Sequence, residues 1–203
     1  MKLMQNLFAA KQADGLDPVR DALLAARAVE TADIWHPVGT HAIGGLVAVG
    51  FDRTSEEMLI VAENGQSVVD CRSGTLRYRN EDADGYDAPP LKAARLDHPA
   101  AERFDMAGMD GGGLRAVTSD GWHVDRISLC WPETYCILQP PDASIHALAQ
   151  VQRGMGTTFY LMAKEADDIR AFGFSWTGES LVLATASELR IWTRATLKLT
   201  NPS

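Results

Sequence analysis

The stretch Asp168 to Thr193, DIRAFGFSWTGESLVLATASELRIWT, decides the fold of this chain. Small and turn-forming residues cut it into three short apolar or alternating runs. Ile169 to Phe174 comes first, Trp176-Thr177-Gly178-Glu179 makes a turn, and Ser180 to Ala184 follows; a tight turn near Ser187-Glu188 then leads into Leu189 to Thr193. Leu189 and Ile191 alternate with Glu188 and Arg190, as they must on a half-buried strand whose successive side chains face opposite ways. The pattern predicts a β-meander.

The order of residue types also resembles one blade of a WD40-type β-propeller. The resemblance rests on Phe174-Ser175, Gly178, Leu181 to Leu183, Ala184 to Ser187 and Ile191-Trp192. Thr193 stands where that family carries Asp, and the family's Gly-His pair is absent. The resemblance implies sheet architecture and no particular activity.

A second copy lies upstream. Ile43 to Phe51, the turn Asp52 to Glu57, Met58 to Ala62, the turn Asn64-Gly65 and Gln66 to Asp70 form another meander. Laid over the first without a gap, Gly50-Phe51 falls on Gly173-Phe174, Met58-Leu59-Ile60 on Leu181-Val182-Leu183, and Val68-Val69 on Ile191-Trp192. The offset from Gly50 to Gly173 is 123 residues, or three periods of about 41, which is within the range of propeller repeats. Here Val69-Asp70, followed by Ser73-Gly74, supplies the Asp and later Gly missing from the last copy.

Between the copies, Phe104 to Met109, Leu114 to Thr118, Trp122 to Leu129 and Thr134 to Leu138 read as a middle unit, and Ile145 to Gln152 with Thr157 to Ala163 as a further hairpin. The expected fold class is mainly β: antiparallel β-meanders, roughly a dozen strands in three to four sheets, in a small or incomplete β-propeller-like domain, with a β-sandwich as the alternative.

The first residues read differently. Leu3, Leu7 and Ala10 recur at helical spacing, Asp14-Gly15 ends that run, and Asp17-Pro18 supplies an N-cap with proline at the first helical position. Val19, Ala22, Leu23, Ala26 and Val29 then give a second helix an apolar stripe to about Thr31. The expected organisation is an N-terminal helical hairpin, residues 1–34, packed on an all-β domain of residues 35–203.

Composition narrows the function classes. The chain has 203 residues, 46% of them hydrophobic and 23% charged, with a formal net charge of −8. Such a balance disfavours non-specific binding to nucleic acid or an anionic membrane, which both need a positive surface; it suits a basic protein partner, with plain solubility as the competing reading. No run reaches the roughly 18 apolar residues of a membrane span. In MKLMQNLFAA the polar Gln5 and Asn6 interrupt a run too short for an export signal, so the expected location is cytoplasmic. Cys71, Cys130 and Cys136 lack C-x-x-C spacing and indicate reduced thiols rather than a disulfide framework or zinc knuckle.

Motifs for chemistry fail one by one. Asn80-x-Asp82-x-Asp84-Gly85 matches the first half of a calcium loop, yet Leu91 stands where a bidentate Glu is required, so no metal or other cofactor is expected. Gly173 to Gly178 has one residue too many for a nucleophile elbow and leads into a strand where that motif needs a helix. The glycine run Gly108 to Gly113 has no Gly-Lys-Ser/Thr. His123 and Asp125 share one strand face but have no third partner in sequence.

What remains is a non-catalytic protein-binding module. Its most concrete form is a bacterial immunity protein or antitoxin that masks a basic nuclease-type toxin by charge complementarity. Candidate binding residues are the loop carboxylates Asp82, Asp84 and Asp87 and the turn-proximal tryptophans Trp122, Trp131 and Trp176, for which core filling at sheet ends is the competing reading. A hydrolase with dispersed catalytic residues and a structural subunit of a larger assembly are the alternatives.

Overall fold

The computed structural model of the chain describes residues 19–81, 86–87, 91–98, 103–130, 133–143, 145, 159–164 and 169–194. Its strands are β1 (Arg27–Ala28), β2 (His36–Ala42), β3 (Leu46–Phe51), β4 (Glu57–Ala62), β5 (Gly65–Asp70), β6 (Thr75–Asn80), β7 (Tyr86–Asp87) and β8 (Lys92–Ala93). They continue with β9 (Phe104–Asp105), β10 (Ala107–Gly108), β11 (His123–Cys130), β12 (Glu133–Gln139), β13 (Tyr160–Lys164), β14 (Ile169–Phe174), β15 (Ser180–Thr185) and β16 (Glu188–Thr193). The protein is mainly β, and nearly all pairings are antiparallel. Two compact units share the strands: Met1–Thr31 with Asp120–Asp167, and Ala32–Ser119 with Asp168–Ser203. Among the described residues no helix is long and apolar enough to cross a membrane.

The larger unit holds sheets in the orders β10-β3-β4-β5-β6, β14-β15-β16-β2 and β7-β8-β9. The first two share one register. Phe51 faces Met58 as Phe174 faces Leu181, Gly50 faces Leu59 as Gly173 faces Val182, and Ala48 faces Val61 as Ala171 faces Ala184. The irregularity also recurs, between Leu46 and Ala48 in one sheet and between Ile169 and Ala171 in the other. On the next pair of strands Met58 faces Val69 as Leu181 faces Trp192. The turns match too: Asp52 N–H donates to the Glu57 carbonyl at 2.9 Å, and Ser175 N–H to the Ser180 carbonyl at 3.0 Å.

The fourth strand of each sheet comes from a different direction in the chain. In the first sheet β6 follows β5 directly, with Val68 opposite Tyr78 and Val69 opposite Leu76. In the second sheet the equivalent place is taken by β2, which precedes the whole first sheet in sequence, with Ile191 opposite Gly39 and Trp192 opposite Pro37. From β2 the chain crosses directly to the first sheet, and the crossing is fixed to the β15–β16 turn: Ile43 N–H donates to the Ser187 carbonyl and Leu46 N–H to that of Ala186.

Equivalent sheets do not use equivalent faces. One buried cluster joins Val49, Met58, Ile60 and Val69 of the first sheet to Ala171, Val182, Ala184 and Ile191 of the second. In the gap-free overlay the latter four correspond to Ala48, Leu59, Val61 and Val68, which lie on the other face and pack into a separate cluster with Ala93, Phe104 and Met106. Strands apolar on both faces follow, as the burial of every β4 residue from Met58 to Val61 illustrates.

The smaller unit is a sheet of order β1-β13-β12-β11. Residues 19–24 are helical, and Val19 and Leu23 cluster with Tyr135, Ile137 and Phe159. The helix predicted to run to about Thr31 stops short: Arg27–Ala28 pairs in parallel with Tyr160–Leu161, and Val29–Thr31 forms a 3-10 turn. Hydrogen bonds to an open strand edge outweigh a local helical preference that is only a few tenths of a kcal/mol per residue, roughly. The first helix of the expected hairpin lies outside the described residues, and the hairpin is replaced within them by one short helix and a strand.

Other expectations shift locally. Leu114 to Thr118, read as a strand, forms no continuous strand: Arg115 makes an isolated bridge to Phe174, and Val117 is a second bridge residue. Of the residues read as an acidic loop, Asn80 ends β6 and Asp87 pairs with Lys92 in the short β7–β8 ladder.

Gly50 and Gly173 occupy the same register position, and both admit a neighbouring backbone. A Cβ on Gly50 would lie 2.5 Å from the Asp105 carbonyl oxygen, and one on Gly173, whose φ is 148°, would lie 2.8 Å from that of Arg115. Gly50→Ala and Gly173→Ala are each expected to destabilise the protein by about 1–3 kcal/mol, read as a fall of several degrees in Tm by circular dichroism.

Candidate functional site

The two equivalent turns also place their tip residues against each other. Arg53 and Trp176 occupy the same position in the repeat, each one residue after the side chain that organises its turn. In the first turn Asp52 Oδ1 accepts hydrogen bonds from the amides of Thr54 and Ser55 and from both hydroxyls. The second turn does the same work with Ser175, whose hydroxyl meets that of Thr177 and accepts from the Ser180 amide. Short polar side chains bonding to nearby amides are what hold such turns rigid. Thr177 also donates to Oε1 of Glu56, which ties the second turn to the first.

On this base the Trp176 indole, 39% exposed, lies within cation–π reach of two guanidinium groups. Arg53 sits 5.1 Å from the ring centroid and Arg115 6.0 Å. Arg115 is held twice, by its Nη1 donating to the Trp176 carbonyl at 2.6 Å and by its own carbonyl accepting from the Phe174 amide at 2.8 Å. Arg53 is in turn paired to Asp105 at 2.6 Å, with Lys92 at 3.4 Å on the other carboxylate oxygen. Beside Trp176 opens a small cleft of about 120 Å³ lined by Phe51, Asp105, Leu114, Arg115 and Phe174. The arrangement is an aromatic and cationic patch beside an apolar notch.

Charged groups here are set by their partners. The Asp105 carboxyl is held below the usual range mainly by its hydrogen bond from Arg53, with burial opposing and Lys92 assisting. Glu56 is 3% exposed, and its Oε2 has no hydrogen-bond partner among the described residues. The Cys71 thiol is pushed well above its ordinary value by burial first and then by the charges of Glu56 and Asp70. Burial likewise pushes Cys136 up to about 12, against a lowering contribution from Arg126. A nucleophilic cysteine needs its thiolate, so both residues are packing groups.

The sequence-predicted site residues fare differently. Trp176 takes the place just described. Trp122 lies in the smaller unit against Tyr160, with ring centroids 6.2 Å apart. Asp82, Asp84 and Trp131 lie outside the described residues, and Asp87 is placed only as backbone in β7. His123 and Asp125 both stand on β11; the His123 ring meets the Gly121 carbonyl at 3.3 Å, and Asp125 accepts from the Arg126 amide. Among the described residues no group of three or more His, Cys, Asp or Glu side chains converges as a metal site would require. Arg53, Arg115 and Asp105 escaped sequence reading, although the overlay of the two copies already sets Arg53 on Trp176. No protein-family model matches the chain, and no curated protein matches it.

The pH dependence follows from Asp105. Its folded value lies below the unfolded one of about 3.9, so its contribution is complete above that value and is lost as pH falls through the acid range toward the folded value. Denaturant unfolding between neutral and acid pH is expected to show a smaller acid-side loss of stability for Asp105→Asn than for the native protein.

Proposed function

We propose that the protein is a non-catalytic protein-binding module and that the Trp176 patch is the centre of its contact surface. The observation that carries this reading is an exposed tryptophan with Arg53 and Arg115 beside its ring, next to two mutually braced turns. Tryptophan and arginine dominate energetic hot spots at protein interfaces, because each gives a large contact area at little loss of conformational freedom when it is already held in place. The neighbouring notch, floored by Phe51 and Phe174, would receive one apolar side chain of the partner.

The partner we propose is a basic protein, and the concrete form is a bacterial immunity protein or antitoxin that acts in the cytoplasm and covers a nuclease-type toxin. The net charge of −8 supports this reading at long range, since an acidic protein attracts a basic one before short contacts form. The patch itself carries Arg53, Arg115 and Lys92 against one carboxylate, Asp105, so its share of the contact is the indole and the apolar notch rather than charge. The scaffold we propose is propeller-like. Register-equivalent sheets that pack unlike face to unlike face repeat in one rotational sense, as propeller blades do, whereas two sheets of a sandwich bury a single inner face each. Completion of the last sheet by β2 supports the same reading.

Native co-purification from the source cells, with identification of the bound protein, tests the proposal. Trp176→Ala is expected to weaken the recovered complex by at least about tenfold with an unchanged circular dichroism spectrum, and the association rate is expected to fall with added salt. Recovery of a monomer with nothing bound, or full affinity in Trp176→Ala, would sink the reading.

A further inference from the structure

A second recognition feature lies in the larger unit, where β2 of one sheet stands over the outer strands of the other. A cleft of about 470 Å³ opens there, a size within the range of small-molecule sites. Its apolar lining comes from Ile43, Ile60, Val69 and Leu76. Leu76 is 46% exposed, an apolar side chain left uncovered in the wall of a concavity. Polar lining is contributed by Thr40, His41, Ser67 and Arg79.

Among the described residues Arg79 is the charged side chain that lines the cleft, and no carboxylate does. Glu81 lies 3.1 Å from Arg79 Nη2, but the two side chains are 62% and 70% exposed. A pair so open to water is worth little and leaves the other guanidinium N–H groups available.

We propose that this cleft binds a small organic anion, with its carboxylate or phosphate head at Arg79 and its apolar body against the accessible side chains of Ile43 and Leu76. Arginine suits such a head because its planar fork makes two parallel charge-assisted hydrogen bonds to either oxyanion. The apolar body gains from leaving water, and the preformed walls, carried by paired strands, need little reordering. This site is separate from the Trp176 patch and does not depend on the partner reading.

Calorimetric titration and thermal shift with four six-carbon probes test it: hexanoate, hexyl phosphate, hexan-1-ol and hexylammonium. One or both anions are expected to bind and raise Tm, and the neutral and cationic probes to do neither. Arg79→Gln, at an exposed position, should leave the ligand-free Tm unchanged and weaken the anion by about tenfold or more. Ser67→Phe, which fills the cleft from β5, should abolish binding. Binding of hexyl phosphate alone would identify the head as a phosphate and uphold the site. Failure of both anions at millimolar concentration, equal binding of hexan-1-ol, or undiminished binding in Arg79→Gln would overturn it.

Discussion

The pairing of β2 with β16 is the constraint on which the larger unit depends. It takes the strand that enters this unit and makes it the fourth member of the sheet that ends it. The chain between is thereby closed at both ends, and the short crossing from Ala42 to Leu46 leaves the first sheet beside the last one. Val38 of β2 packs against the shared core of Val49, Ile60, Val69, Val182 and Ile191, so the closing strand also covers that core. Such a closure is entropically costly because its partners are far apart in sequence, but the cost grows only slowly with loop length and is offset by a full ladder and a buried interface.

Closure also accounts for the contact patch. Arg53 and Trp176 are equivalent residues in equivalent turns, and they would be remote from each other in an open chain. Packing the two sheets sets the turns side by side, where Glu56 accepts from Thr177 and Arg53 covers the indole. A buried carboxylate with one satisfied oxygen is a costly brace, tolerable when it fixes a geometry that nothing else would hold. Elsewhere the unit uses more ordinary ties: Arg95 grips Asp97 through two parallel bonds of 2.7 and 2.8 Å and reaches Glu57 at the start of β4. That pairing draws the Asp97 carboxyl below its usual range, with the Arg95 hydrogen bonds the leading cause.

The turn end carries Trp176 with Arg53 and Arg115 beside it, and the cleft beside β2 is lined by Ile43 and Leu76 with Arg79 as its cation among the described residues. Open strand edges lie on β2 and β6, each hydrogen-bonded to one neighbour among the described strands. Arg77 and Arg79 on β6 and Pro37 on β2 are the residue types that discourage edge-to-edge pairing.

The sequence by itself determined the meanders. Alternation in Leu189 to Trp192, the turn residues at 175–178 and 52–56, and the gap-free correspondence of Gly50 with Gly173 are local signals, and strand periodicity and turn chemistry act over a few residues. The tertiary structure alone decided which strand completes each sheet, that Arg27–Ala28 leaves a helical pattern to pair with Tyr160–Leu161, and that Arg53 lies on Trp176. Those outcomes depend on hydrogen-bond edges and ring faces supplied by distant parts of the chain. A residue's own pattern states what it is able to pair with, and only the closed sheet brings that partner within reach.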